Sequence, residues 1–197
     1  MKHCIASRFK FDEDNFERMS GYVEICNEIL VPSLNSQVNK NFDWLIYTNP
    51  KHDDWIKERI TGYPYRIIHD LNVELTAYNI QTRHDIDDWM HPNYVESIQK
   101  TIERCKYDIC LLHVNLILAD YKTRQTMFYP AWNSRETSQF LTLYLKDNWD
   151  TTLYVYMDEH TKMTNYVKDV IELPLGLTMQ IRHDGNISGY DEKKIKQ

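Results

Sequence analysis

Residues 81–90 read Gln-Thr-Arg-His-Asp-Ile-Asp-Asp-Trp-Met. Asp85, Asp87 and Asp88 place three carboxylates within four positions, with Arg83 and His84 just ahead and Trp89 just behind. Repulsion among crowded carboxylates raises their pKa values unless positive charge offsets it. A hard divalent cation is one such offset: Mg2+ or Mn2+ prefers oxygen ligands and is often completed by substrate phosphates. The other reading is an acidic turn capping the next helix, since Asp is favourable near a helix N-terminus in its own right. The stretch falls between a strand end and a helix start, and open α/β sheets bind ligands beyond the carboxyl ends of their strands.

Upstream, strand and helix patterns alternate. His3 to Phe9 is expected to be a first strand, and Ser20 to Leu34 carries Tyr22, Ile25, Cys26, Ile29 and Leu30 at helical spacing, with Ser20 as its cap. Pro32 is expected to kink or end that helix. Phe42 to Tyr47 is apolar except for Asp43, as in a strand covered on both faces, and Tyr65 to Ile68 is a third strand candidate. Between them His52 to Ile60 supplies a short amphipathic helix.

Downstream, Val95, Ile98, Ile102 and Cys105 make one apolar stripe on a helix from Pro92 to Cys105. Asp108 to Ala119, Phe140 to Leu145, Thr152 to Met157 and Thr178 to Arg182 read as strands, and Thr161 to Val170 as helical. The pattern predicts one compact α/β domain, with a mostly parallel nucleotide-binding half over about residues 1–110 and a mixed-sheet half over about 111–190.

Composition narrows the function. A net charge of −6 lacks the basic stripe that nucleic acid requires, so no nucleic-acid partner is expected. Fourteen Tyr and five Trp in 197 residues argue against disorder, because aromatics bury large areas. Cys4, Cys26, Cys105 and Cys110 show no C-x-x-C spacing and read as buried, reduced thiols. With no signal-peptide pattern and no apolar run of about 20 residues, the expected location is cytoplasmic. The chain has five Gly and neither G-x-G-x-x-G nor a Walker loop, so a bound nucleotide would be held through metal and side chains.

Four stretches in order then carry a resemblance: SRF (residues 7–9), LVPSLNSQ followed by NFDWLIYT (30–37 and 41–48), TRHDIDDWMHPNYV (82–95), and IRHDGNIS (181–188). Together they resemble the putative rhamnosyltransferases, a branch of the GT-A glycosyltransferases with the pattern P-S-L-x-x-Q, F-x-W, R-x-D-x-D-D and a closing H-G-x-N segment. The match runs from Ser7 to about Gln99, half of the chain, while Leu112 to Leu175 aligns loosely.

The resemblance implies a GT-A-like, Rossmann-like nucleotide-binding fold: a central, mostly parallel, mixed sheet flanked by helices. It implies a metal-dependent glycosyltransferase using Mn2+ or Mg2+. The donor would be a nucleoside diphosphate sugar, UDP- or dTDP-linked, and the acceptor a hydroxyl of unknown identity. Asp85, Asp87 and Asp88 match the D-x-D region, with Asp85 near the ribose or metal and Asp87 or Asp88 on the metal. His183 matches a C-terminal histidine that completes the metal site or touches the diphosphate, and its rival reading is an ordinary residue of the Asp184-Gly185 turn. Ser7 and Arg8 match the strand end lining the nucleotide pocket. Asn49 stands where these enzymes often place an acidic residue against the base, and an amide can still read a pyrimidine edge. Arg83 either contacts the nucleotide or diphosphate or pairs with Asp85. Trp89 either lines the pocket or is buried beneath the helix.

An inverting transfer needs a base from an acidic residue after a second-half strand. In YVYMDEHTKM, residues 154–163, the candidates are Asp158 and Glu159, with His160 orienting the base or touching the acceptor. The plainer reading makes both carboxylates helix caps. Two other functions fit an aspartate cluster: a Mg2+-dependent nucleotidyltransferase or phosphoesterase, and a non-catalytic sugar-nucleotide-binding module of the same shape.

Overall fold

The structure, a computed structural model, describes residues 1–9, 16–115, 117–128, 140–147 and 153–183. A seven-stranded sheet forms its centre, in the order β3-β2-β1-β4-β9-β6-β10. Its members are β1 (His3–Phe9), β2 (Asp43–Thr48), β3 (Arg66–Ile68), β4 (Ile80–Arg83), β6 (Ile109–His113), β9 (Leu141–Leu145) and β10 (Val170–Glu172). β9 runs antiparallel to its neighbours β4 and β6, and every other pairing in this sheet is parallel. The carboxyl ends of β1, β2, β4 and β6 therefore lie along one edge. The second sheet, β5-β11-β7-β8, joins β5 (Trp89–Met90), β7 (Ile117–Asp120), β8 (Thr126–Phe128) and β11 (Thr178–Arg182).

The strands are apolar on both faces because helices cover both. All of β9 is buried, and of β1 only Arg8 is exposed. The helices are α1 (Phe16–Ile25), α2 (Val31–Ser36), α3 (Asp53–Arg59), α4 (Leu71–Leu75) and α5 (Tyr94–Glu103). On α5 the stripe of Val95, Ile98 and Ile102 faces the core, as its spacing predicts. None of the described helices is long and apolar enough to cross a membrane.

Four expectations are corrected. The helix predicted from Ser20 begins at Phe16, and Ser20 is not its cap: its hydroxyl donates back to the Phe16 carbonyl at 2.8 Å. Pro32 does not end the segment, because a π-helical turn at Cys26–Leu30 precedes it. There the Val31 N–H reaches back to the Cys26 carbonyl, and α2 restarts with Pro32 in its first turn, where a missing N–H is tolerated. The strand expected at Thr152–Met157 is absent from its described part, which forms turns after Leu153, and the predicted helix from Thr161 is a 3-10 segment, His160–Asn165.

A polar seam crosses the core beneath β1, β4 and β9. The Gln99 amide donates to His3 Nδ1 at 3.2 Å, so His3 Nε2–H donates to Thr82 Oγ1 at 2.8 Å, and Thr82 in turn meets Thr142 Oγ1 at 2.8 Å. This chain works only with a neutral imidazole, and burial pushes the His3 pKa down to about 3. Buried His84 is pushed down to about 4 by the same cause. Both folded-state values lie below the unfolded value, so between about 6.5 and the folded pKa the unfolded chain binds protons the folded one refuses. Stability is therefore full above pH 6.5 and is expected to fall on acidification by up to about 1.4 kcal/mol per pH unit for each histidine. Urea midpoints at pH 7.5, 6 and 5 test this, and His3→Gln should flatten the slope.

Candidate active site

The loop His84–Asp88 leaves the carboxyl end of β4. Its path is fixed at the start: the His84 N–H extends the ladder to the Ala6 carbonyl at 3.1 Å, and His84 Nδ1 donates to the Asp85 carbonyl at 3.0 Å. The buried imidazole packs 5.3 Å from the Phe140 ring. From this base the three carboxylates diverge, and they meet different partners.

Asp88 is 1% exposed, and its Oδ1 accepts the backbone N–H of Ile181 at 2.8 Å. That bond fastens β11, which also pairs with β5 immediately after the loop. Asp87 faces the residue that follows β11: its Oδ2 lies 2.8 Å from His183 Nε2, with both side chains less than a tenth exposed. Burial raises the Asp87 pKa, the hydrogen bond from His183 lowers it, and the negative charge of Asp85 raises it again. Asp85 is half-buried. The crowding in this acidic corner is thus relieved from within by an imidazole and a peptide N–H. Tyr22 of α1 stands edge-on to His183 at 5.0 Å, with the Arg18 guanidinium 5.9 Å from the Tyr22 ring.

Arg83, the last residue of β4, does not pair with Asp85: among the described residues it makes no ion pair or hydrogen bond, and its Nε is buried without a partner. Its guanidinium lies over the Tyr156 ring at 4.7 Å, and the Tyr156 hydroxyl donates to the Ala6 carbonyl at 2.9 Å. His160 belongs to the same neighbourhood. Burial lowers its pKa first, the positive charge of Arg83 lowers it further, and Asp85 and Glu159 pull it back up.

The remaining predicted residues sit around this centre. Ser7 is fully buried, and its hydroxyl accepts the Trp44 indole N–H at 3.1 Å, joining β1 to β2. Arg8 is exposed at the carboxyl end of β1. Asn49 follows β2 and caps the 3-10 turn Pro50–His52 by accepting the Lys51 N–H at 3.2 Å. Asp158 accepts the Glu159 N–H at 2.8 Å and the Tyr166 hydroxyl at 3.0 Å, which hold its pKa below the usual carboxylate range. Glu159 is exposed and lies 3.2 Å from Lys162. Trp89 is half-buried in β5, with its ring 6.0 Å from that of His91. The residues after His183, including the closing Gly185 and Asn186, lie outside the described part of the chain.

Tyr156 and Tyr22 were not legible as site residues. Tyr22 reads as one more apolar position on a helix, and Tyr156 as a strand residue. Only the fold shows one under Arg83 and the other against His183.

Among the described residues no group of three or more His, Cys, Asp or Glu side chains is arranged to hold a metal ion. The donor chemistry nevertheless suits a hard divalent ion: carboxylate oxygens of Asp85 and Asp87 beside the imidazole of His183, in a corner where Asp85 pushes against the ionisation of Asp87. Such ions are commonly bound by one or two carboxylates, with phosphates completing the shell.

No protein-family model matches the chain, and no curated protein sequence matches it. Solved structures do. A structure of residues 1–349 of TarS from S. aureus, in complex with UDP-GlcNAc, superposes with a TM-score of 0.57 at 13% identity, over 96% of this chain and 62% of that one. The chain has the GT-A fold. GalNAc-T7 with UDP, GalNAc and Mn2+ superposes with a TM-score of 0.52 at 9% identity, over 94% of this chain and 45% of that one. Both are GT-A glycosyltransferases. The chain thus spans less than two thirds of the length of either, and at these identities the likeness is one of fold.

Proposed function

We propose that the protein is a metal-dependent glycosyltransferase, moving a sugar from a nucleoside diphosphate sugar, UDP- or dTDP-linked, to an acceptor hydroxyl. The observation that carries this is Arg83. A half-buried guanidinium whose Nε has no partner, laid on an aromatic ring at a strand end, is costly unless an anion completes it. A diphosphate is the anion that this place in a GT-A fold would receive, and the UDP-GlcNAc and UDP carried by the two neighbours support that reading.

In the proposed reaction Arg83 and Arg8 orient the diphosphate, and Asn49 faces the base. Asp87 and His183, with Asp85 alongside, would hold Mn2+ or Mg2+, which when bound would supply Lewis-acid stabilisation of the leaving diphosphate. The glycosidic bond to phosphate breaks, a bond from the anomeric carbon to the acceptor oxygen forms, and Asp158 or Glu159 takes the acceptor proton in an inverting transfer. His160, coupled to Arg83 and Asp85, positions that base or the acceptor. Asp88 is assigned to holding β11 rather than to the metal, because its Oδ1 is taken by Ile181.

One observation favours a second reading, a sugar-nucleotide-binding module without turnover. Asp158 is already engaged by the Glu159 N–H and the Tyr166 hydroxyl, and a carboxylate stabilised in its ionised form is a weaker base. Incubation with a panel of UDP- and dTDP-sugars, with Mn2+ and with chelator, separates the readings. Metal-dependent release of UDP or dTDP supports transfer, binding without release supports the module, and release of nucleoside monophosphate points to phosphoesterase chemistry.

Arg83→Met is expected to weaken UDP binding by roughly 10- to 100-fold, the range for a charged hydrogen bond. Arg83→Lys should recover little, since an ammonium lacks the planar fork that stacks and binds bidentately. Calorimetric titration with UDP checks both, and wild-type affinity in Arg83→Met would remove the residue from the donor site.

A further inference from the structure

We propose that Cys105 and Cys110 form an oxidation site, a thiol pair that closes into a reversible disulfide on exposure to a peroxide. The two sulfurs lie 3.6 Å apart. Cys105 follows the end of α5, where its N–H bonds the Ile102 carbonyl at 2.9 Å, and Cys110 sits within β6 opposite Tyr144 of β9. Backbone hydrogen bonds therefore hold both residues in place, and closing the bond brings the sulfurs from 3.6 Å to the roughly 2.05 Å of a disulfide.

The two thiols have different surroundings. Cys105 is partly exposed, and its sulfur both accepts the Tyr107 N–H at 3.4 Å and donates to the Tyr107 carbonyl at 3.9 Å, so an oxidant reaches this sulfur first. Cys110 is fully buried, and burial together with its neighbour Cys105 keeps it protonated. The reaction order follows. Hydrogen peroxide oxidises Cys105 to the sulfenic acid and leaves as water. The Cys110 thiol then attacks that sulfur, the S–S bond forms, and a second water departs. Two electrons leave the thiol pair for each peroxide consumed. Cys4 and Cys26 are free and fully buried; Cys4 belongs to a separate apolar cluster, whereas Cys26 shares the cluster that contains Cys110.

The crosslink would tie the end of α5 to the amino-terminal part of β6, at the edge of the sheet opposite the acidic loop. It is thus independent of the donor site.

The test treats the whole chain with a small excess of hydrogen peroxide and reads intact mass and tryptic peptides. The expected result is a loss of about 2 Da and a linked peptide pair joined at Cys105 and Cys110, separable because Lys106 lies between them. Dithiothreitol should restore the original mass, and Cys105→Ser should show no mass loss. The urea midpoint of the oxidised wild type should exceed that of treated Cys105→Ser. Oxidation of Cys105 to sulfinic acid with Cys110 still open to alkylation would overturn the proposal. A crosslink to Cys4 or Cys26, or a crosslink that lowers the urea midpoint, would also overturn it.

Discussion

Asp87→Asn is expected to lower metal-dependent release of nucleoside diphosphate by about a hundred- to a thousandfold, the scale of removing one preorganised stabiliser of developing charge. The substitution keeps the volume and removes the charge. An amide at this position can still meet His183 as donor or acceptor, so the contact that now measures 2.8 Å survives in kind. Asp87 also carries a buried charge whose ionisation is already disfavoured by burial and by Asp85, so a neutral replacement costs the fold little. Turnover should collapse while the circular dichroism spectrum and urea midpoint stay close to wild type. Calorimetry with Mn2+ and UDP should show the same loss. Turnover near the wild-type rate would take Asp87 out of the proposed site.

Asp88→Ala is expected to do the opposite: to cost about 2–3 kcal/mol of stability by leaving the buried Ile181 N–H without an acceptor and the space of a carboxylate unfilled. For a chain of this length that corresponds to a fall in Tm of about 4–12 °C. Asp88→Asn retains an oxygen acceptor and should restore much of the loss. Activity lost in Asp88→Ala should track the unfolded fraction and return on cooling. If the variant kept its Tm and lost all turnover, the two aspartates would exchange roles and Asp88 would become the metal ligand.

These adjacent residues mark how far the sequence could be read. The acidic stretch stands out in the sequence as a candidate site or a capping turn, and its place at a strand end follows from the alternation of apolar runs. What separates Asp87 from Asp88 is the arrival of β11, and no local pattern announces which carboxylate a strand more than 90 residues away will use. Buried strands were legible, His3–Phe9 as a short strand ending in polar residues and Leu141–Leu145 within a strand-like run from Phe140. Short edge strands were not: β10 has only three residues, two of them exposed, and its first, Val170, was read as the end of a helix. The π turn before Pro32 was missed because helical periodicity looks alike on either side of a one-residue shift in register. Arg83 was seen, but its platform was not, since Tyr156 lies far along the chain and is brought beneath it by topology.

The clasp of Ile181 and His183 on the acidic loop spans 93 and 96 positions. Contacts so distant along the chain demand that a very large ring be closed, and the entropy of closing it is lost before any reward is collected. As the polypeptide leaves the ribosome, the aspartates emerge long before the strand that shelters two of them. On the proposed function, the donor pocket is accordingly completed only when this late strand docks, and binding of a sugar nucleotide is expected to report that docking.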